Sequence, residues 1–170
     1  MPVRWDTVTV DGKPMRVYTG IPEGTQRRAG LLVAQHGPGV DGFIQDAVNR
    51  LLRQGYVAAA PELFHRQPAE IKEGTTRVGL LKDDEMFERT KDIHCPVIGF
   101  FGAEDINPSP DDVKKIAAEL TRLAKPHEFH TYNGAGHACQ NFLDASRYRE
   151  RPARGTWSEM LAFFAQHLKA

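Results

Sequence analysis

The stretch Leu31-Leu32-Val33-Ala34-Gln35-His36-Gly37-Pro38-Gly39 decides how this chain is read. Leu31 to Gln35 is a continuous apolar run, as expected of a strand covered on both faces, and it stops abruptly at the polar, glycine-rich turn from His36 to Gly42. Phe43, Ala47, Val48, Leu51 and Leu52 then recur at helical spacing, with Gly55 just past them as a C-cap. Tyr56 to Ala60 is a second buried strand, ended by Pro61. Strand, helix and strand in this order form a βαβ unit, which implies an α/β fold with a mostly parallel sheet and helices on both faces.

Upstream, Thr7–Val10 and Met15–Tyr18 flank Asp11-Gly12, a strong turn dipeptide, and predict an N-terminal antiparallel hairpin. Downstream the strand–helix–strand order repeats. Pro96 to Phe101 is a strand ended by Gly102-Ala103-Glu104-Asp105. Ser109-Pro110-Asp111-Asp112 starts a helix: serine caps, proline suits the first position, and the acids suit the positive end. Val113, Ile116, Ala117 and Leu120 are its apolar stripe, and Glu128 to Tyr132 is the next strand. A last helix carries Trp157, Met160, Leu161, Phe164 and Leu168, a stripe expected to be core.

Composition narrows the function classes. The chain has 170 residues with 22 basic and 22 acidic side chains, so no net charge argues for nucleic acid. Its length fits one domain, expected to span 1–170. Cys95 and Cys139 have no zinc or disulfide spacing. The start is charged and alternating, and no apolar run is long enough for a signal peptide or a membrane span, so a soluble cytoplasmic protein without a membrane partner is expected.

Sites in such folds form beyond the C-terminal ends of the strands. His36, His65, Asp105 and His137 each follow a different predicted strand there. His137 ends the turn Tyr132-Asn133-Gly134-Ala135-Gly136-His137, where a sheet end can present a general base. An aspartate after one strand and a histidine after the next supply the orienting acid and the base of a hydrolytic triad. The order Asp then His, late in the chain, is that of α/β-hydrolases, in which the nucleophile precedes both. The same four residues are also metal-ligand types, though without local ligand spacing.

These residues carry a resemblance. Val33–His36 with Gly39, Gly55–Phe64, Arg66-Gln67, Cys95–Val97, Phe101–Asp105 and Gly134–His137 are similar to the dienelactone hydrolase family of α/β-hydrolases, which includes carboxymethylenebutenolidase. The resemblance implies hydrolysis of a carboxylic ester or lactone, a small-molecule substrate, no cofactor and no metal. It places the triad acid on Asp105 and the base on His137, and a carboxylate-binding arginine on Arg66. The loop at His36 and Gly37 falls in the substrate-binding and oxyanion region.

Three departures follow. His36 stands where dienelactone-cleaving members have a glutamate. A second carboxylate-binding arginine would fall near Asn141, which is uncharged. The nucleophile is missing: no Gly-x-Ser-x-Gly or Gly-x-Cys-x-Gly occurs anywhere. From Gln67 to His94 there are only 28 residues, largely polar and charged, where a strand, an elbow, a helix and further elements need on the order of 60. Arg77–Glu85 resembles the family segment before the elbow and Phe87–His94 the segment after it. The expectation is therefore a truncated α/β-hydrolase-like chain that has lost its nucleophile unit near 85–87. Healing by direct pairing of the Leu31–Gln35 and Pro96–Phe101 strands is expected. Cys139 sits on the same turn as His137 without an elbow, Cys95 opens a strand expected to be buried, and Ser109 is a cap. The chain as it stands is thus expected to be inactive or nearly so. The alternative is a non-catalytic binding or regulatory module that uses the residual pocket.

Overall fold

In the computed structural model, residues 3–24, 26–66 and 90–168 are described. The backbone divides into two compact units, residues 1–81 and 82–169. The expected junction near 85–87 lies outside the described residues.

The first unit holds strands β1 (Val3–Val10), β2 (Lys13–Gly20), β3 (Gly30–Leu32) and β4 (Val57–Pro61) and helix α1 (Gly42–Arg53). The strands form one mixed sheet in the order β1-β2-β4-β3. β1 and β2 are the antiparallel hairpin, turning at Asp11 and Gly12, both with positive φ. β2 pairs antiparallel with β4, and β4 pairs parallel with β3. Asp41 caps α1 by accepting from the Phe43 and Ile44 amides. At the other end Gly55, at φ 89°, donates to the Leu52 carbonyl, and the Tyr56 amide donates to that of Leu51. These two bonds close a Schellman motif, as the glycine's position implied. α1 lays Ile44, Val48, Leu51 and Leu52 on β2 and β4, against buried Tyr18, Ala58 and Ala60. Gly20 lets it close in, since a Cβ there would lie 3.3 Å from both Leu52 and Val48.

The second unit holds β5 (Val97–Gly102), α2 (Pro110–Arg122), β6 (His127–Tyr132) and α3 (Glu150–His167), with a short 3-10 turn at Thr90–Asp92. β5 and β6 pair in parallel over six residues. α2 packs on both strands and α3 on β5. Ser109 and Asp112 form a full capping box, with Pro110 in the first turn.

Four expectations are corrected. β3 is not covered on both faces: Leu32 is 75% exposed, and only three residues pair. The expected β3–β5 pairing is not among the described ladders. β3 pairs with β4 and β5 with β6, in separate sheets, and a ladder three residues long gives little template for a six-residue strand. The α3 stripe is half-buried rather than core, because α3 buries Pro152 and Thr156 instead. Cys95 also departs from expectation, being exposed ahead of β5.

Candidate active site

Asp105 and His137 are brought together within the second unit. β5 ends at Gly102, and a turn closed by the Asp105 amide on the Gly102 carbonyl follows. β6 ends at Tyr132, and Gly134, at φ 73°, turns the chain toward His137. The two turns are laced by Ala103 N–H to the Tyr132 carbonyl and Glu104 N–H to the Ala135 carbonyl, each at 2.9 Å. Gly102 permits this contact: a Cβ there would sit 2.3 Å from the Ala135 carbonyl oxygen.

The side chains meet across the lacing. His137 Nδ1 donates to Asp105 Oδ2 at 3.1 Å, while Asp105 Oδ1 accepts from the Asn107 amide at 2.9 Å. The Asp105 side chain is 8% exposed and that of His137 is 60% exposed. A buried, doubly bonded carboxylate holds the ring and its tautomer, leaving Nε2 as the ring nitrogen that can take a proton. Ala138, next in the chain, is held at φ 59°, a costly conformation for alanine.

His137 and Asp105 open onto a cavity of about 460 Å³, whose wall includes Asn107, Ser146, Arg147 and Arg149. Sequence reading missed that wall. Ser146 donates to Asp144, Arg147 pairs with Asp144, and the Arg149 amide ties the segment to the Cys139 carbonyl. Two arginines thus line the cavity, although Asn141 is uncharged. The only sequence signal was the basic run Arg147–Arg154, which gives no hint of where it packs.

The alternative nucleophiles fare poorly. Cys139 is buried, and burial pushes its thiol up, with the Asp105 charge acting the same way, so the thiolate is disfavoured. The Ser109 hydroxyl is engaged with Asp112 Oδ2 at 2.6 Å.

His36, Gly37 and Arg66 belong to the first unit. His36 Nε2 lies 2.9 Å from Asp41 Oδ1, off the line of a hydrogen bond, and the ring tilts over Phe43. Gly37 is half-buried in a turn closed by Gly39 N–H on the His36 carbonyl. Arg66 is paired with Asp11 of the hairpin turn, so a carboxylate of the chain itself occupies it. Among the described residues no three His, Cys, Asp or Glu side chains are grouped to hold a metal ion. None of the helices described there is long and apolar enough to cross a membrane.

The βαβ unit, the parallel β5–β6 pair and an Asp–His pair beyond the strand ends define an α/β-hydrolase fold. A crystal structure titled as a "Putative Dienelactone Hydrolase" of Klebsiella pneumoniae superposes at a TM-score of 0.83 with 21% identity, covering 98% of this chain and 99% of the other. The chain belongs to the dienelactone hydrolase family, whose sequence model matches it twice, at residues 15–86 and 74–168. It is 32% identical over 76 residues to a "Putative carboxymethylenebutenolidase" of Salmonella typhimurium, covering 45% of this chain. It is 27% identical over 90 residues to a Synechocystis protein of the same name, covering 52% of this chain. The matched stretches span only 28% and 37% of those two relatives.

Proposed function

We propose that this chain is one domain built for hydrolysis of a carboxylic ester or lactone, shortened near 85–87 so that its nucleophile is gone. His137 is the general base and Asp105 its orienting acid. The hydrogen bond between them, with the acid buried and the base open to a cavity, carries this reading. His36, Gly37 and Arg66 are the remnants of the substrate and oxyanion side. Two observations support the shortening. The family's sequence model matches in two pieces that overlap at residues 74–86. No nucleophile elbow occurs in the sequence.

The mechanism follows from what remains. With an attacking hydroxyl or thiol in place, His137 Nε2 would take its proton and later return it to the leaving group, and Asp105 would stabilise the imidazolium. One oxyanion amide normally follows the nucleophile, so the shortened chain lacks half of that hole as well. His137 can still act on water, but nothing holds the tetrahedral intermediate.

The test is release of nitrophenol from a short activated ester, followed past one equivalent of enzyme. The expected result is no turnover above a His137→Ala control. A single burst reports acylation of an exposed histidine and does not count as turnover. Sustained turnover that survives Cys139→Ala and vanishes with His137→Ala would overturn the inactive reading.

A further inference from the structure

β3 forms one edge of the four-stranded sheet, and its backbone shows which groups that edge presents. The Ala29 carbonyl accepts from the Val57 amide at 3.1 Å, and the Val33 amide donates to the Ala59 carbonyl at 2.8 Å. Along a strand the N–H and C=O of one residue point to the same side, and those of the next residue point to the other. The odd-numbered residues therefore bond to β4, while Gly30 and Leu32 aim both backbone groups away from it. Among the described residues no strand pairs with that side. Leu32 is also 75% exposed, and Ala34 continues the alternation of exposed with half-buried residues.

Open strand edges recruit other strands. Three features decide what this edge can recruit. It is short, so only a short strand matches it. It carries no charge from Ala29 to Gln35, so nothing in it selects a charged partner. It is also self-complementary. Turned about a two-fold axis at Leu32, a second β3 runs antiparallel to the first, with Leu32 opposite Leu32 and Gly30 opposite Ala34. Each Leu32 then exchanges both backbone hydrogen bonds with its counterpart, and the two exposed side chains lie side by side on one face. No like charges are brought opposite one another. The joined sheet ends in the two β1 strands, where the Arg4–Asp6 pair guards each edge, so growth stops at two copies.

We propose that two copies of this chain pair through their β3 edges, as a closed antiparallel dimer centred on Leu32. The inference needs neither a nucleophile nor the Asp105–His137 pair, so it stands or falls apart from the proposed reaction.

The test is sedimentation equilibrium of the purified chain from about 10 µM to about 1 mM. A contact this short belongs with the small interfaces, under about 1,200 Å² in all, so the expected Kd is on the order of 100 µM. The Leu32 amide should exchange its hydrogen more slowly as concentration rises. Leu32→Lys and Leu32→Glu each set like charges at the axis and should weaken association about fivefold or more. Both should keep the fold, checked by amide dispersion, since the side chain they replace is exposed. Mixed in equal amounts, the two variants should associate with each other. Val8→Lys, on β1, should leave the Kd unchanged. The proposal is overturned by a chain that stays monomeric to about 1 mM, by association that Leu32→Lys leaves undiminished, by a mixture of the two variants that stays monomeric, or by loss of the dimer in Val8→Lys.

Discussion

Gly102→Ala should dismantle the Asp105–His137 pair without touching either side chain. The added Cβ would meet the Ala135 carbonyl oxygen at 2.3 Å, the Ala135 carbonyl carbon at 2.7 Å and the Gly136 oxygen at 2.9 Å. All three are backbone atoms, so no rotamer change relieves the clash. Carbon and oxygen settle near 3.3 Å or beyond, so the turn must retreat by about 1 Å. That retreat stretches Glu104 N–H to the Ala135 carbonyl, now 2.9 Å, and carries His137 from 3.1 Å to about 4 Å from Asp105, outside hydrogen-bond range. Overpacking costs about 1–3 kcal/mol and the broken backbone bond about 1 more, so the second unit should lose roughly 2–4 kcal/mol. Urea unfolding followed by resonances of the second unit should show a midpoint lower by about 1 M or more. Nitrogen resonances of His137 should show loss of the single tautomer with its proton on Nδ1. Gly30→Ala is the matched control, since a Cβ there meets nothing within 4 Å. A Gly102→Ala protein with the parent midpoint and an unchanged His137 tautomer would refute the account of how the two turns are held.

Three further substitutions test the packing around this frame. Ser109→Ala should cost about 1 kcal/mol by urea unfolding, because it removes the capping hydroxyl. It should also flatten the acid limb of the stability curve. The Ser109 hydroxyl first, then Lys115, hold the Asp112 carboxyl down at about 2, below its ordinary 3.8. That contribution is therefore full above about pH 4 and lost as pH falls through 2. Ala124→Gly should stabilise by up to about 1 kcal/mol in the same assay, since Ala124 is exposed at φ 52° just past α2, where glycine carries no penalty. Val48→Ala removes two methyl groups from a wholly buried side chain and should cost the first unit about 2–3 kcal/mol, read from its own resonances in urea.

What the sequence disclosed was local. The Asp11-Gly12 turn, the Gly55 stop of α1 and the Ser109–Asp112 cap each depend on a few adjacent residues, and each is formed. The Asp105–His137 hydrogen bond was legible for a related reason. Two neighbouring parallel strands must end side by side, so the residues just beyond them meet. What stayed hidden depends on partners distant in sequence. Arg66 finds Asp11 across 55 residues, and Tyr132 donates to Glu159 across 27, where burial first and then that carboxylate push the phenol up. The half-exposed stripe of α3 misled for the converse reason. Helical spacing reports which face is apolar, not whether enough sheet exists to cover it.

The two edges of the four-stranded sheet bear on whether the chain was shortened. β1, at one edge, carries Arg4 and Asp6, paired at 2.8 Å, in the way that natural edges are blunted with charge. β3, at the other edge, has neither charge nor proline from Gly30 to Ala34. Along β3 and the two residues that follow it, Leu32 and Ala34 are exposed, while Leu31 and Val33 are half-buried. An edge strand shaped by selection would be expected to carry some guard, and β1 shows that this sheet has one where it needs it. A strand that is apolar on both faces belongs between neighbours and beneath helices on each side. The composition of β3 thus fits an interior position, whereas its surroundings are those of an edge. The proposed loss of a strand beside it would account for the mismatch. The side-chain chemistry of this edge and the two-piece family match are independent of each other, and both support the proposed shortening.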